Sequence, residues 1–347
     1  MKILIAGGCG FVGANLAIYL KNLGHEIIVV DNMSRKGTEH NHKRLMVENI
    51  YPFNLPIQYV LNYPKSIKEF GTVDVILNCS AQSRSMLGID NPSADFYGNV
   101  ETTFACLELA RHFNAALIHW STNKVYSAKD VNHRLMPLEE ENRYSSTHAV
   151  EESGIARSGH ANTIYGATKI ASEVLINEWS ELYGIPCIRN RFSCIAGPHQ
   201  WGCTDQGWVA LWMIHHILEK PLTYYGFQGK QARDVLHIND LCDLVAKQLN
   251  LLESGEKINE VYNVGGGPSN VMSLRECTEL CQRLTGSSVR IDTEAEPRWA
   301  DQMLYVSDIS KVSQQFNWHP KKDVVEALSD IFSWGNSNRK QLEEFYA

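Results

Sequence analysis

Tyr165 and Lys169 lie four residues apart in "TIYGATKIASEVLINEW", a spacing that puts both side chains on one face of a helix. An ammonium beside a phenol favours the phenolate. The pair is therefore expected to draw the Tyr165 pKa down toward working pH and to exchange a proton with a hydroxyl-bearing substrate such as a sugar. Many helices carry a tyrosine and a lysine at this spacing, so the pair alone decides little. A hydroxyl elsewhere adds to it: "HWSTNKVYS", residues 119–127, runs from a buried strand into polar residues. It delivers Thr122 to the strand end, with Asn123 and Lys124 beside it and no carboxylate.

A second constellation opens the chain. Gly7, Gly10 and Gly13 in "AGGCGFVG" follow a predicted strand and begin a predicted helix. In that context glycines tighten the turn, admit a pyrophosphate to the backbone and let the helix pack closely, with its N-terminus toward the phosphates. Asp31 ends the second predicted strand, "EIIVVD". A carboxylate there suits the two hydroxyls of an adenosine ribose and repels a 2′-phosphate, which favours NAD over NADP. Arg35 in "DNMSRKG" pulls the other way, since a guanidinium can hold a 2′-phosphate; the strand-end carboxylate outweighs it.

These groups need a scaffold that brings strand ends together. The apolar runs "KILIAG", "EIIVVD", "VDVILNCSA", "AALIHWST" and "PCIRNRF" alternate with the helical patterns "FVGANLAIYLKNLG", "VETTFACLELARHF" and "TKIASEVLINEWSELYG". This is βαβ rhythm, and strands apolar on both faces imply a parallel sheet covered by helices. The expected fold is α/β, a doubly wound parallel sheet of the Rossmann type with a smaller C-terminal lobe. After Arg191 the rhythm breaks into "GPHQWGCTDQGWV" and the helix-like "ALWMIHHILEK". "ARDVLHINDLCDLVAKQLN" and "VYNVGG" read as a helix and a strand returning to the first domain. The expected division is residues 1–191 and 236–267 for NAD binding, and residues 192–235 and 268–347 for the substrate lobe.

The bulk numbers agree with an enzyme. At 347 residues, 44% hydrophobic and 20% charged, the chain has the composition of a globular protein long enough for two cores. A net charge of −7 without clustered Lys and Arg argues against nucleic acid as a partner. The nine cysteines are odd in number, and the closest pair, Cys277 and Cys281, has helical rather than zinc-ligand spacing. No metal site is expected, and buried reduced thiols in a cytoplasmic protein are. "MKILIAGG" is too short an apolar run for a secretory signal, and no segment reaches the ~18 apolar residues of a membrane span.

Together the glycine turn, the strand-end Thr122 and Tyr165-x-x-x-Lys169 resemble the extended short-chain dehydrogenases that act on nucleotide sugars, nearly end to end. The resemblance implies NAD as cofactor, held by Gly7, Gly10, Phe11, Val12, Gly13, Asp31, Asn32, Ser34, Arg35, Tyr165 and Lys169. It implies Tyr165 as acid/base, Thr122 as hydrogen-bond partner of the reacting hydroxyl, and Lys169 as the group that holds the NAD ribose and tunes Tyr165. Asn99 matches a structural asparagine of the family. Nucleotide-sugar 4,6-dehydratases of this family carry Asp-Glu directly after the threonine, because expelling water needs a further acid and base. Asn123 and Lys124 cannot serve so, which leaves epimerisation through a keto sugar, or simple oxidation or reduction.

The stretches "DNMSRKG", "STNKVY", "DQGWV", "GKQARDVLH" and "ADQMLYVSD" resemble one subgroup, the CDP-sugar 2-epimerases of the paratose and tyvelose type. That implies inversion at C2 of a CDP-sugar, with Asn123, Cys194, Arg233 and Arg298 toward the substrate and the two arginines on its diphosphate. A 4-epimerase or oxidoreductase would share the same catalytic residues, and a non-catalytic NAD-binding regulator would need none of them. A homo-oligomer is expected. Three departures stand out: "YVLNYP" puts Tyr63 and Pro64 at the expected third-strand end in place of an acidic residue, Ser127 replaces a glycine, and "RNRFSCIAG" replaces Arg-His-Ser-Ser around Cys194.

Overall fold

Short runs of aliphatic and β-branched residues become the strands of one sheet, because only a parallel sheet buries such runs on both faces. In the computed structural model, which describes residues 1–152 and 163–347, these are β1 (Lys2–Ala6), β2 (Glu26–Asp31), β3 (Phe53–Asn54), β4 (Val75–Asn78), β5 (Ala116–Thr122), β6 (Cys187–Phe192) and β7 (Asn259–Val264). They form a seven-stranded sheet in the order β7-β6-β5-β4-β1-β2-β3. β1 runs parallel to β2 and β4, β2 to β3, and β4 to β5. Chain order reverses between β1 and β4, the switch point at whose strand ends doubly wound sheets bind ligands. The fold is the expected Rossmann type.

The described chain divides into two compact units. The first comprises Met1–Thr122, Ile164–Arg191 and Cys242–Tyr262. Its core includes Leu4, Val30, Ile76, Leu107, Leu117 and Ile176. The second comprises Phe192–Leu241, Asn263–Ala347 and the described part of 123–163. Trp201, Val209, Trp212, Met213, Leu328 and Ile331 lie in its core.

Two local readings are corrected. "YVLN" is not a strand: Ile57–Asn62 is a 3-10 turn and the helix Pro64–Phe70 follows, so Tyr63 caps a helix instead of ending a strand. Its apolar residues bury Ile57 and Val60 at a spacing of three, a helical period. "ARDVLH" is likewise not helical. Ala232–His237 is a strand fully buried in the second unit, parallel to Cys194–Ala196 and Leu304–Tyr305 and antiparallel to Val271–Ser273; the helix begins at Ile238. No helix among the described residues is long and apolar enough to cross a membrane.

Candidate active site

Thr122 is the last residue of β5, and Tyr165 and Lys169 sit in the first turns of the helix Ile164–Tyr183. All three are buried, Lys169 to 1% exposure. The Thr122 side chain is hydrogen-bonded to the Tyr165 phenol. Lys169 Nζ donates to the Trp120 carbonyl of β5 at 2.8 Å, which ties the helix to the strand that carries Thr122.

The expected pull of Lys169 on the phenol is corrected by this geometry. Burial, reinforced by Asp95, pushes the Tyr165 phenol up to about 12, while the bond with Thr122 pulls it down. Burial draws Lys169 down to about 8, opposed by Glu173, Cys79 and Asp95. Desolvation outweighs the neighbour because it acts on each group separately and in opposite directions. Tyr165 in this state holds its proton and needs added positive charge before it can accept one.

Asn99 reads as structural here too. It lies in the π-helical turn Phe96–Glu101 and donates to Thr168 Oγ1 at 3.0 Å, while its carbonyl accepts from Thr103 at 2.6 Å and Ser172 at 3.2 Å. These bonds lock the helix that carries Lys169.

The glycine turn packs tightly. Gly7 has φ of +72°, and a Cβ there would fall 2.8 Å from the Ser80 backbone. A Cβ on Gly13 would fall 2.5 Å from the Gly7 carbonyl, so the helix Phe11–Asn22 can reach the turn only without one. Gly10 is the N-cap and supplies no side chain to the first-turn N–H groups of Phe11 and Val12. The Asp31 carboxyl is buried and accepts from the Cys9 amide at 2.9 Å and the Met33 amide at 2.8 Å. Burial pushes it up and these backbone bonds hold it down. Asn32 Oδ1 accepts from the Ser34 amide at 3.1 Å, and Arg35 donates to Ser83 Oγ at 2.8 Å.

NAD fits this set. Uncapped amides at a helix N-terminus with no Cβ in the way suit a pyrophosphate, a rigidly held strand-end carboxylate suits a ribose diol, and Lys169 has N–H donors beyond the one given to Trp120.

A separate cluster occupies the second unit. Arg233, on the strand Ala232–His237, donates to Asp301 at 2.7 Å and to the Ala232 carbonyl at 2.8 Å. Lys124 stands 4.0 Å from Asp301. Burial pulls its pKa down and Asp301 pushes it up, and it also feels Arg233, Cys194 and Arg298. Arg298 lies over the Tyr225 ring at 4.2 Å. Cys194 accepts from Trp208 Nε1 at 3.2 Å, and burial pushes its thiol up. Asn123 is buried at the start of the 3-10 turn Asn123–Val125. Ser127, where a glycine was expected, caps the helix Ala128–Leu135 by accepting from the Asp130 amide.

The structure thus groups Thr122, Tyr165 and Lys169 in one unit, and Cys194, Arg233 and Arg298 in the other. Sequence reasoning passed over Lys124 and Asp301 as members of the second group, although both lie in stretches it quoted. It also passed over Asp95, which carries no motif.

The comparisons agree with this geometry. Residues 3–265 match the family described as NAD dependent epimerase/dehydratase. The CDP-paratose 2-epimerase of Salmonella typhi is 31% identical, covering 97% of this chain and 100% of that one. A dTDP-glucose 4,6-dehydratase of Salmonella typhimurium is 26% identical, over 97% of this chain and 93% of its own. The fold is that of the Thermus thermophilus UDP-glucose 4-epimerase solved in complex with NAD, with a TM-score of 0.78 at 21% identity over 97% and 99% of the two chains. The chain is an NAD-dependent enzyme and belongs to the NAD dependent epimerase/dehydratase family.

Proposed function

We propose that this enzyme is an epimerase of a nucleotide-diphosphate sugar, a CDP-sugar, and inverts C2 through a transient keto sugar. The observation that carries the reading is the buried Thr122–Tyr165 hydrogen bond followed directly by Asn123 and Lys124. Proton exchange at one hydroxyl is provided for, and the acid and base for water loss are missing from the positions where dehydratases carry them. The 31% identity to a CDP-paratose 2-epimerase supports the choice of carbon and nucleotide.

On this reading Gly7, Gly10, Phe11, Val12 and Gly13 hold the NAD pyrophosphate, Asp31 the ribose, and Asn32, Ser34 and Arg35 the adenosine side. NAD supplies a hydride acceptor that can return the hydride. Thr122 orients the reacting hydroxyl, Tyr165 takes and returns its proton, and Lys169 holds the nicotinamide ribose. Arg233, Arg298 and Lys124 bind the diphosphate, with Asn123 and Cys194 toward the sugar. The buried free thiols suit a cytoplasmic protein. Exposed Phe96, Tyr97, Phe104, Val174, Leu182 and Tyr183 in the first unit support a homo-oligomer.

The test is a CDP-hexose deuterated at C2. The expected product is the C2 epimer with its deuterium retained, since a hydride moved to a bound acceptor and back never meets water. Loss of the label to solvent, or epimerisation at C4 instead, would overturn the reading.

A further inference from the structure

The last three residues of β5 each bond to the reactive helix. The Trp120 carbonyl accepts from Lys169 Nζ at 2.8 Å, Ser121 Oγ donates to Glu173 Oε1 at 2.5 Å, and Thr122 is hydrogen-bonded to Tyr165. Tyr165, Lys169 and Glu173 stand at i, i+4 and i+8 of the helix Ile164–Tyr183, one stripe along its buried face. Strand and helix are thus joined by three polar rungs. The proposed reaction employs Thr122, Tyr165 and Lys169 and gives Ser121 and Glu173 no part.

Glu173 is also held from a second strand. Arg191, on β6 beside β5 in the sheet, grips it through Nε at 3.0 and 3.2 Å and through Nη2 at 2.6 Å. All three side chains are buried, and both oxygens of the carboxylate have partners. Burying such a pair is a poor way to gain stability, because well-packed apolar residues of similar volume do as well or better. What it adds is direction. One turn further along the helix Ile176 joins the apolar core with Leu117 and Cys187, and packing of that kind tolerates small slips along the strand. A bidentate charge pair with a third bond to the strand defines one position.

We propose that Glu173, anchored by Arg191 and Ser121, is a positioning residue for the Thr122–Tyr165 pair: it fixes the height of the reactive helix along β5, so that the phenol stays within hydrogen-bond reach of Thr122. This rests on Tyr165 being the group that exchanges the substrate's proton. Ser121 directly precedes Thr122, and Glu173 shares a rigid helix with Tyr165, so a slip at their bond is carried to both members of the pair. A misplacement of ~1 Å in a reacting group lowers a rate by on the order of 10²-fold. The two remaining rungs hold the slip below that.

The test breaks the rung without disturbing charge. Ser121→Ala removes the hydroxyl and leaves the Glu173–Arg191 pair, and with it the charge of Glu173 that opposes the effect of burial on Lys169. The holoprotein is labelled with 3-fluorotyrosine: the 19F signal missing in Tyr165→Phe belongs to Tyr165, and its displacement in Thr122→Ala marks loss of the Thr122 bond. In Ser121→Ala the signal should move in the same direction by part of that displacement, and Ser121→Thr, which keeps the hydroxyl, should return it. Turnover of Ser121→Ala per NAD-loaded molecule should fall about tenfold with KM for the nucleotide sugar unchanged, a split that mere loss of stability does not produce. An unmoved signal in folded Ser121→Ala overturns the proposal, as does a moved signal with kcat unchanged. The 19F signal is read without any sugar, so its failure is distinct from a failure of CDP-hexoses as substrates.

Discussion

Around Tyr165 the first unit buries its ionisable groups until their protons move, whereas around Arg233 the second unit keeps its charges by pairing them. Tyr165 rises, and Lys169 and His119 fall, all from burial. Arg233 is also buried, but a guanidinium does not give up its proton, and Asp301 answers it at 2.7 Å. The difference teaches what each cluster can do. Burial favours the neutral form of each group, so a substrate hydroxyl bonded to Thr122 and Tyr165 meets groups whose proton affinities respond to added charge. A cluster whose cations face one carboxylate, Asp301, is built to bind, and what it binds best is an anion that replaces that carboxylate.

The sharpest way to break this contrast is Tyr165→Phe. Removing a single acid/base should reduce turnover by ~10²–10⁴ while the protein folds and retains NAD. Bound NAD is counted after purification, and turnover is followed by the appearance of epimer. Thr122→Ala should lose less, since Thr122 orients the hydroxyl without exchanging its proton. A Tyr165→Phe enzyme that still turns over would show that the first cluster is not the proton-exchanging one.

Arg233→Ala probes the other side. It deletes a charge-assisted bond to the proposed diphosphate and none to the reacting hydroxyl, so KM for the nucleotide sugar should rise by about 10- to 100-fold with kcat little changed. Steady-state kinetics checks it. A fall in kcat at unchanged KM would mean that the second cluster does more than bind.

A smaller effect is expected at Asp31. In Asp31→Ala the preference for NAD over NADP should shrink by about tenfold, because repulsion of a 2′-phosphate disappears along with a ribose contact. Titration of the protein freed of cofactor with each nucleotide measures it. Since Asp31 is held by the Cys9 and Met33 amides, the variant also releases one buried and one half-buried donor, and a thermal melt separates that loss from the change in preference.

What was legible in the sequence was whatever short-range pattern specifies. Gly7, Gly10 and Gly13 show a turn, Asp31 and Thr122 show strand ends, and Tyr165 and Lys169 share a helix face. Six of the seven strands followed from apolar runs, and the two-residue edge strand Phe53–Asn54 did not. Three things were not legible, for physical reasons. "YVLN" and "ARDVLH" are short apolar runs, and periodicity over four to six residues does not separate a strand from a helical turn. The direction of the Tyr165 shift depends on burial, which comes from residues distant in sequence. Asp301 meets Arg233 from 68 residues away along the chain, and no local spacing announces such a meeting.

The mildest test uses pH. Lys169 is drawn down to about 8 by burial, below the 10.5 of a free lysine. Its ammonium is therefore present below about pH 8 and lost as pH rises through that value. An unperturbed lysine would keep it for two units more. If the ammonium holds the nicotinamide ribose, NAD retention should weaken as pH rises through 8, by about tenfold at most, because a neutral amine can still donate a hydrogen bond. Lys169→Arg should show no such decline below pH 10, since a guanidinium stays charged. Equilibrium dialysis of NAD against both proteins at a series of pH values reads the difference. The same experiment on the second cluster in Lys124→Arg, where every cation is a guanidinium, should give a flat profile for diphosphate binding over this range, and a decline there as well would erase the distinction between a cluster that exchanges protons and one that holds charge.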